Sequence, residues 1–304
     1  MIKILGASGF IGENLLKVLQ GIQGVSLRTE GWQEQVSSAS VIVNLVGKAH
    51  DHKGTATEQD YYYANVGLAK EVFQVFIESS ASLLIHVSSL AALEEFESSN
   101  PLTESDECHP VSWYGNSKRD AERWLLAQAF PQNKKLVIIR PPMVHGPGDK
   151  GNLGLLYKLI SKGIPYPLSS FDNKRSFISI GNFSFFIQQI IENQEMLDSG
   201  IYHIADDEPV STNEIIEMIR SVTGKNVPKI ALPKFLVKGI AKVGDVLPIP
   251  LNTKKLKKMT GDLLVSNGKI KQVLGINKLP LTAKEGLEQT IKSFKAEDKK
   301  AHNT

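Results

Sequence analysis

The chain has 304 residues, of which 41% are hydrophobic, so it is long enough to bury a full core in one large domain and a smaller lobe. Its formal charge of +3 is too small to indicate a nucleic-acid partner, and its single cysteine, Cys108, excludes an internal disulfide framework and is typical of a cytoplasmic protein. No run of about 18 apolar residues occurs, and glycines break the first apolar run, so we expect neither a membrane-spanning segment nor a signal peptide.

The chain begins with an apolar strand, a glycine-rich turn and an amphipathic helix. The strand is predicted over residues 2–5 and the helix over 13–19. The turn between them has the spacing G-x-x-G-x-x-G, which differs from the usual dinucleotide fingerprint G-x-G-x-x-G. In this context backbone N–H groups and a helix N-terminus can bind a pyrophosphate, and a glycine turn without a ligand is the alternative. The predicted cofactor contacts here are Gly6, Ser8, Gly9, Phe10, Ile11 and Gly12.

The end of the second strand, residues 25–30, bears on the choice of cofactor. An NAD enzyme usually has a carboxylate here that binds the ribose 2′-hydroxyl, whereas an arginine accommodates the 2′-phosphate of NADP. Arg28 therefore favours NADP. Two alternatives stay open, because Glu30 could supply the carboxylate for NAD if the alignment slips, and Arg28 could be a surface residue without a ligand.

Further strands and helices alternate along the next hundred or so residues. Strands are predicted over 41–46, 83–87 and 136–140, and helices near 64–78 and 114–129. Such alternation is typical of βαβ units and predicts an α/β fold with a doubly wound parallel sheet. Ligands bind at the carboxyl ends of the strands in such sheets. Ser89 lies just past the strand 83–87, after Ser88, so it could donate to a substrate carbonyl or hydroxyl, or it could simply begin a loop.

Tyr114 and Lys118 form the most informative pair in the chain. Their spacing of four residues can place a phenol and an ammonium on one helix face. A free tyrosine has a pKa near ~10 and is a poor base at neutral pH, but a nearby cation stabilises the phenolate and lowers that pKa. The pair is therefore a candidate proton shuttle, with a solvated helix face as the alternative.

From about residue 151 the pattern changes. Helices are predicted over 153–162, 183–193 and 212–222, short strands over 177–180 and 201–204, and a frayed polar tail over 295–304. A capping box, Ser211-Thr212-Asn213-Glu214, opens the helix 212–222. We predict a dinucleotide-binding domain over residues 1–165 and a substrate-binding lobe over 166–304.

Taken in order, these features resemble the extended short-chain dehydrogenase/reductase family, also called the NAD-dependent epimerase/dehydratase family. The resemblance extends over nearly the whole chain. Residues 41–47 look like the family's fourth-strand motif, and Tyr63-Ala64-Asn65-Val66 looks like the start of its next helix. Residues 140–148 look like its R-P-x-x-V-Y-G-P segment, with His145 where tyrosine is usual. Residues 174–178 resemble the arginine segment that contacts a nucleotide-sugar diphosphate.

The resemblance implies a Rossmann fold with a smaller C-terminal α/β substrate lobe, in which residues 177–204 fold back onto the first domain. It implies that Tyr114 is the acid/base at the sugar O4, that Lys118 lowers the pKa of Tyr114 and binds the nicotinamide ribose, and that Ser89 orients O4. The implied cofactor contacts are Leu45, Val46, Gly47, Asn65, Tyr114, Lys118 and Pro141. The implied substrate contacts are Ser89, Asn152 and Arg175. The expected partner is a nucleotide sugar, and a homodimer is compatible with the resemblance.

The reaction can be narrowed within the family. Sugar 4,6-dehydratases carry an Asp-Glu pair after the catalytic hydroxyl, and this chain has Leu90 and Ala91 there. Two reactions remain, a 4-epimerase of the UDP-glucose type with tightly bound NAD and a 4-keto reductase that consumes NADPH. Arg28, together with residues 43–50 and 140–142, most resembles reductases of UDP-4-keto-6-deoxy-N-acetylhexosamines in surface-polysaccharide synthesis, so we predict reduction. A non-catalytic NADP-binding regulatory protein is the alternative from another class.

Three other features have ordinary explanations. His50 and His52 have a spacing that could suit a metal, but no further ligands accompany them, so we expect no metal site. His86 lies in an apolar strand and is interpreted as a satisfied core residue. The lysines of residues 254–258 could meet a substrate diphosphate, an acidic membrane surface or a protein partner, or could form a solvated helix face.

Overall fold

The secondary structure alternates between strands and helices through the first half of the chain. The computed structural model describes residues 1–49, 51, 54–149, 151–225, 227–228, 230–247 and 251–302. The strands are β1 (Ile2–Leu5), β2 (Ile22–Val25), β3 (Val41–Asn44), β4 (Leu83–Val87), β5 (Lys135–Arg140), β6 (Met143–His145), β7 (Phe177–Ser179) and β8 (Gly200–His203).

Helices connect these strands and form most of the C-terminal part. They are α1 (Phe10–Val18), α2 (Trp32–Ser37), α3 (Glu58–Tyr62), α4 (Leu68–Glu78), α5 (Trp113–Leu126), α6 (Asn152–Ser161), α7 (Ile180–Glu192), α8 (Thr212–Thr223), α9 (Lys234–Val243), α10 (Thr253–Thr260), α11 (Gly268–Val273) and α12 (Ala283–His302). A π-helical turn, Tyr63–Gly67, joins α3 to α4, and a 3₁₀ turn, Leu90–Ala92, follows β4. None of the described helices is long and apolar enough to cross a membrane.

Six of the strands form one parallel sheet in the order β2-β1-β3-β4-β5-β8. Every residue of β3 and β4 is buried, as expected for strands that are covered by helices on both faces. The strand order reverses at β1, so the carboxyl ends of β1 and β3 border the crevice where doubly wound sheets bind ligands. The predicted doubly wound parallel sheet is confirmed.

Each face of the sheet has its own core. On one face, Ile85 and Val137 pack with Phe183 of α7 and with Leu15 of α1. On the other face, residues such as Leu84 and Leu136 pack with Trp32 of α2 and with Phe73 and Phe76 of α4. Complete burial of an aromatic side chain such as Phe76 contributes roughly 1.5–3 kcal/mol, so these two layers hold the strand ends in fixed positions.

A separate core unites the C-terminal helices. Tyr157 of α6, Ile219 of α8 and Leu287 of α12 pack there with residues of α9 and α10. The short parallel pair β6 and β7 lies between this core and the main sheet, and α12 contacts β7. The boundary at residue 165 stays a prediction.

Candidate active site

The glycine-rich turn lies between β1 and α1, at the reversal point of the sheet. Gly6 has a φ of +81°, and a Cβ there would lie 3.1 Å from the Leu45 carbonyl carbon and the Val46 nitrogen, so this position needs glycine. Among the described residues, no side chain caps the start of α1 at Gly9. The N–H groups of its first turn are therefore free to bind an anion, which fits the pyrophosphate of a dinucleotide.

A second loop, formed by Leu45, Val46 and Gly47, follows β3 and borders the first turn. The Asn44 side chain ends β3, because its Oδ1 accepts from the Val46 N–H at 3.0 Å and turns the chain. A Cβ at Gly47 would lie 2.9 Å from Nζ of Lys118 and 2.7 Å from Oδ1 of Asn65. Glycine therefore lets this loop approach α5 closely.

Asn65 joins this loop to α5. Its Oδ1 accepts from the Lys48 N–H at 2.8 Å, and its Nδ2 donates to the Lys48 carbonyl at 3.1 Å and to the Ser117 hydroxyl at 2.8 Å. The π-helical turn Tyr63–Gly67 inserts the extra residue that turns Asn65 inward. A direct contact between Asn65 and the cofactor stays a prediction, whereas its contacts with the loop and α5 are seen.

Tyr114 lies in the first turn of α5 and approaches the chain just after β4. The Ser112 hydroxyl caps α5 by accepting from the Gly115 N–H at 3.0 Å. Glu95, which follows the 3₁₀ turn, accepts from the Val111 and Ser112 N–H groups at 2.9 and 2.7 Å. These bonds fix the start of α5 against the 3₁₀ turn that follows Ser89, and the Ser89 hydroxyl lies close enough to the Tyr114 phenol to affect its pKa.

The protonation of Tyr114 depends on its surroundings. Burial raises the pKa of the Tyr114 phenol above its ordinary value, the nearby Ser89 hydroxyl opposes this rise, and the charge of Glu95 adds to it. The Lys118 ammonium lies nearby but donates to the Val87 carbonyl at 3.0 Å. Burial lowers the pKa of Lys118 to about 8. That Lys118 lowers the pKa of Tyr114 stays a prediction.

A buried ion pair between Glu122 of α5 and Arg140 of β5 joins the helix to the sheet. Arg140, at the end of β5, donates from Nε and Nη2 to the two carboxylate oxygens of Glu122 at 2.8 and 2.6 Å, and Ser88 donates to Glu122 at 2.6 Å. Neither Arg140 nor Glu122 is more than 1% exposed. The sequence prediction missed Glu122, although its spacing of four residues from Lys118 places it on the same face of α5.

The remaining predicted residues lie around this centre. Pro141 accepts from the Leu90 N–H at 2.8 Å and so joins the end of β5 to the 3₁₀ turn. Arg28 is exposed just beyond β2, and Asn152 is exposed at the start of α6. Arg175 comes from the C-terminal part, and its Nη1 donates to the Phe96 and Gly261 carbonyls at 3.2 and 2.9 Å. Its side chain therefore connects the loop after β4 to the end of α10.

Two buried histidines each have one ring nitrogen without a hydrogen-bond partner among the described residues. His86 is only partly satisfied, because its Nδ1 lies 3.2 Å from Nδ2 of Asn44 whereas its Nε2 has no partner among the described residues, and burial lowers its pKa to about 3. His145, at the position where tyrosine is usual, is fully buried and pairs with the Thr290 hydroxyl of α12 at 2.9 Å. The described residues contain no cluster of three potential metal ligands, and His50 and His52 lie outside them.

The chain matches a known protein family over about its first two thirds. Residues 2–205 match the sequence model of the NAD dependent epimerase/dehydratase family. The chain belongs to this family. The predictions of the family and of an NAD(P)-dependent enzyme of the epimerase and reductase type are confirmed.

Individual relatives cover most of the chain. It is 28% identical to the UDP-glucose 4-epimerase of Vibrio cholerae over an alignment of 319 positions. This alignment covers 96% of this chain and 95% of that protein. It is 24% identical over 254 residues to the N-acetyl-alpha-D-glucosaminyl-diphospho-ditrans,octacis-undecaprenol 4-epimerase of Escherichia coli O157:H7, over 76% of this chain and 74% of that one. The UDP-glucuronic acid 4-epimerase of Bacillus cereus in complex with NAD has the same fold, with a TM-score of 0.75, 17% identity and coverage of 97% and 98%.

Proposed function

We propose that this enzyme reduces the 4-keto group of a nucleotide sugar with NADPH, and that its substrate is a UDP-4-keto-6-deoxy-N-acetylhexosamine used for surface-polysaccharide synthesis. The observation that carries the C4 chemistry is the approach of the Ser89 hydroxyl to the Tyr114 phenol beyond the carboxyl end of β4, beside Lys118. Two hydroxyls that converge there can bind a single sugar oxygen and move a proton on it. The exposed Arg28 beyond β2 supports NADPH over NADH.

The residues around the crevice fit a dinucleotide, because no side chain in the described part of the chain caps the start of α1, and glycine at positions 6 and 47 lets the two loops approach each other and α5 closely. When bound, the nicotinamide supplies the hydride for C4. Tyr114 donates the proton to O4, and its raised pKa keeps the phenol protonated before reduction. Ser89 orients O4 and shares the charge that develops on it. Lys118 holds a positive charge near Tyr114 and takes part in orienting the ribose.

The Glu122 and Arg140 pair serves this chemistry indirectly. It joins α5 to β5, and Ser88 joins β4 to the same carboxylate. Since Ser89 follows Ser88 and Tyr114 lies on α5, the pair fixes the distance between the two hydroxyls that must meet at O4. Such fixed geometry is a large part of what an enzyme contributes to a reaction of this kind.

A 4-epimerase of the UDP-glucose type is the second candidate, and the Vibrio cholerae relative, with its nearly full coverage, favours it. An epimerase uses the same hydroxyls but keeps NAD bound and returns the hydride to C4.

One experiment separates the candidates. Purified protein is mixed with NADPH and a UDP-4-keto-6-deoxy-N-acetylhexosamine, and the absorbance of NADPH is followed. A reductase consumes one NADPH for each 4-hydroxy product. An epimerase converts UDP-glucose into UDP-galactose without added cofactor and releases NAD when it is denatured. A protein that binds NADPH but does neither would contradict both candidates and would indicate a regulatory role.

A further inference from the structure

The helices α9 and α10 and the turn at residues 244–247 present apolar side chains to solvent. Phe235 is 73% exposed and Val246 is 84% exposed. Five further apolar side chains of this surface are between 42% and 54% exposed, and they are Leu236, Ile240, Val243, Leu247 and Met259. We call the exposed residues of Lys234–Val243, 244–247 and Thr253–Thr260 the α9–α10 face.

The apolar side chains of α9 lie opposite its buried side. Val237 and Ala241 pack into the C-terminal core and are each 1% exposed. At about 100° per residue, Leu236 and Val243 point away from that core, where a surface helix normally carries polar residues. The core therefore leaves this second apolar side of α9 uncovered.

Lysines surround these apolar residues. Between residues 230 and 260 the sequence has seven lysines and one carboxylate, Asp245. Lys234, Lys238 and Lys242 follow one flank of α9 at intervals of four residues, and all three are exposed. The four lysines of α10 are Lys254, Lys255, Lys257 and Lys258.

Asp245 holds the two helices together as one surface. Its carboxylate accepts from the Thr253 N–H at 3.0 Å and from the Thr253 hydroxyl, at the start of α10. Lys257 pairs at 2.7 Å with Glu97, which lies in the loop after β4. The α9–α10 face therefore combines a fixed apolar centre with a strongly basic border.

We propose that the α9–α10 face docks on the surface of an anionic lipid bilayer. Phe235 and Val246 would enter the boundary between headgroups and acyl chains, and the lysines would meet the lipid phosphates. The charge argues against a second copy of the chain as the occupant, because a symmetric pair would bring two sets of seven lysines together. This inference goes beyond the proposed function and does not depend on it.

Docking would place the substrate-binding side of the enzyme near the membrane. The carbonyl of Gly261, the residue that follows α10, accepts from Arg175 at 2.9 Å. The segment before Arg175 contacts α9 as well, because Ser170 donates to the Leu232 carbonyl at 2.6 Å and Lys234 lies over the Phe171 ring. A bilayer bound at this face would therefore lie against the same elements that hold Arg175.

Sedimentation of the full chain with vesicles tests the proposal. Vesicles of phosphatidylcholine alone are compared with vesicles that also contain phosphatidylglycerol. We expect binding to the anionic vesicles that weakens as salt rises, and at least tenfold weaker binding to phosphatidylcholine alone. Failure of the wild-type protein to bind anionic vesicles would overturn the proposal.

Paired variants locate the binding surface. A double Lys238→Gln and Lys242→Gln variant should bind about 25-fold more weakly, since each lysine near an anionic surface contributes about fivefold. A double Phe235→Ser and Val246→Ser variant should lose roughly tenfold or more. The matched controls, Lys278→Gln with Lys299→Gln and Met196→Ser, change exposed residues elsewhere and should bind like the wild type.

The same variants distinguish a lipid bilayer from a second copy of the chain as the occupant of the α9–α10 face. Equal vesicle binding by all variants would show that the α9–α10 face is not the docking surface. If light scattering shows a dimer that the Phe235→Ser and Val246→Ser variant dissociates, and vesicles are not bound, the surface is an interface between copies and the proposal is wrong. An unchanged midpoint of urea unfolding for each variant shows that the fold is intact, so a loss of vesicle binding then reports on the surface.

Discussion

Replacement of Asp206 by asparagine is expected to change how stability depends on pH. Asp206 follows β8 and is 3% exposed. Its carboxylate accepts from the Ser179 N–H at 3.1 Å and from Nδ2 of Asn182 at 2.7 Å, and it lies 3.9 Å from Nε2 of His145. Burial raises its pKa from 3.8 to about 6 despite these hydrogen bonds.

The sign of the effect follows from proton binding. Between pH 3.8 and about 6 the folded protein keeps Asp206 protonated, whereas the unfolded chain ionises it. The folded state binds more protons in this window, so this residue's contribution to stability decreases as pH rises through it. A shift of about two pKa units corresponds to about 3 kcal/mol. Asparagine does not ionise, so the Asp206→Asn variant does not lose stability in this way. Between about pH 4 and about pH 7, the free energy of unfolding of the variant should therefore rise by about 3 kcal/mol relative to that of the wild type.

The contribution of His145 to stability should change with pH in the opposite direction to that of Asp206. Burial lowers its pKa from 6.5 to about 4, so the unfolded chain binds more protons in that window and this contribution to stability increases with pH. His145→Gln should therefore lose about 3 kcal/mol relative to the wild type between about pH 4 and about pH 7.

Urea unfolding at several pH values measures these differences, with Asp198→Asn as the control for an exposed aspartate. The control should follow the wild type at every pH. The reasoning is refuted if the Asp206 and His145 variants keep a constant difference from the wild type, or if their differences change with pH in the same direction.

Four further predictions concern the active site. Tyr114→Phe should lower kcat by roughly 10²–10⁴-fold and leave NADPH affinity unchanged, and near-normal turnover would exclude Tyr114 as the proton donor. Arg28→Ala should weaken NADPH more than NADH by roughly 1.5–3 kcal/mol, whereas equal losses would refute the 2′-phosphate contact. Arg175→Ala should weaken UDP binding in calorimetry and leave NADPH binding intact, with Arg175→Lys between it and the wild type, and unchanged UDP affinity would contradict the role. Gly47→Ala places a Cβ 2.9 Å from Nζ of Lys118, so kcat should fall by roughly 10²-fold, and a normal kcat would show that the loop can yield.

The sequence predicted those parts of the site that depend on local pattern. The apolar runs of the strands predicted the parallel sheet. Because ligands bind at the carboxyl ends of such strands, the position of Ser89 after one of them predicted a site residue. The spacing of four residues also predicted that Tyr114 and Lys118 share one face of a helix. Their mutual position with Ser89 follows from the packing of α5 on the 3₁₀ turn Leu90–Ala92, which local pattern does not encode.

Contacts between distant segments could not be predicted in this way. His145 meets Thr290 across 145 positions of sequence, and no periodicity joins β6 to α12. Asn65 was singled out by its motif, but its inward position depends on a π-helical turn, whose residues look like ordinary helix in the sequence. Strand β3 ends at Asn44, two residues before the predicted end, because that side chain bonds to the Val46 N–H and turns the backbone.

Two sets of hydrogen bonds join α5 to neighbouring elements of the sheet. Asn65 fastens the loop after β3 to this helix, and Glu122 fastens the helix to Arg140 of β5 and to Ser88. One helix thus joins the loop after β3, the residue after β4 and the end of β5, so a substitution that shifts α5 is expected to shift all three together.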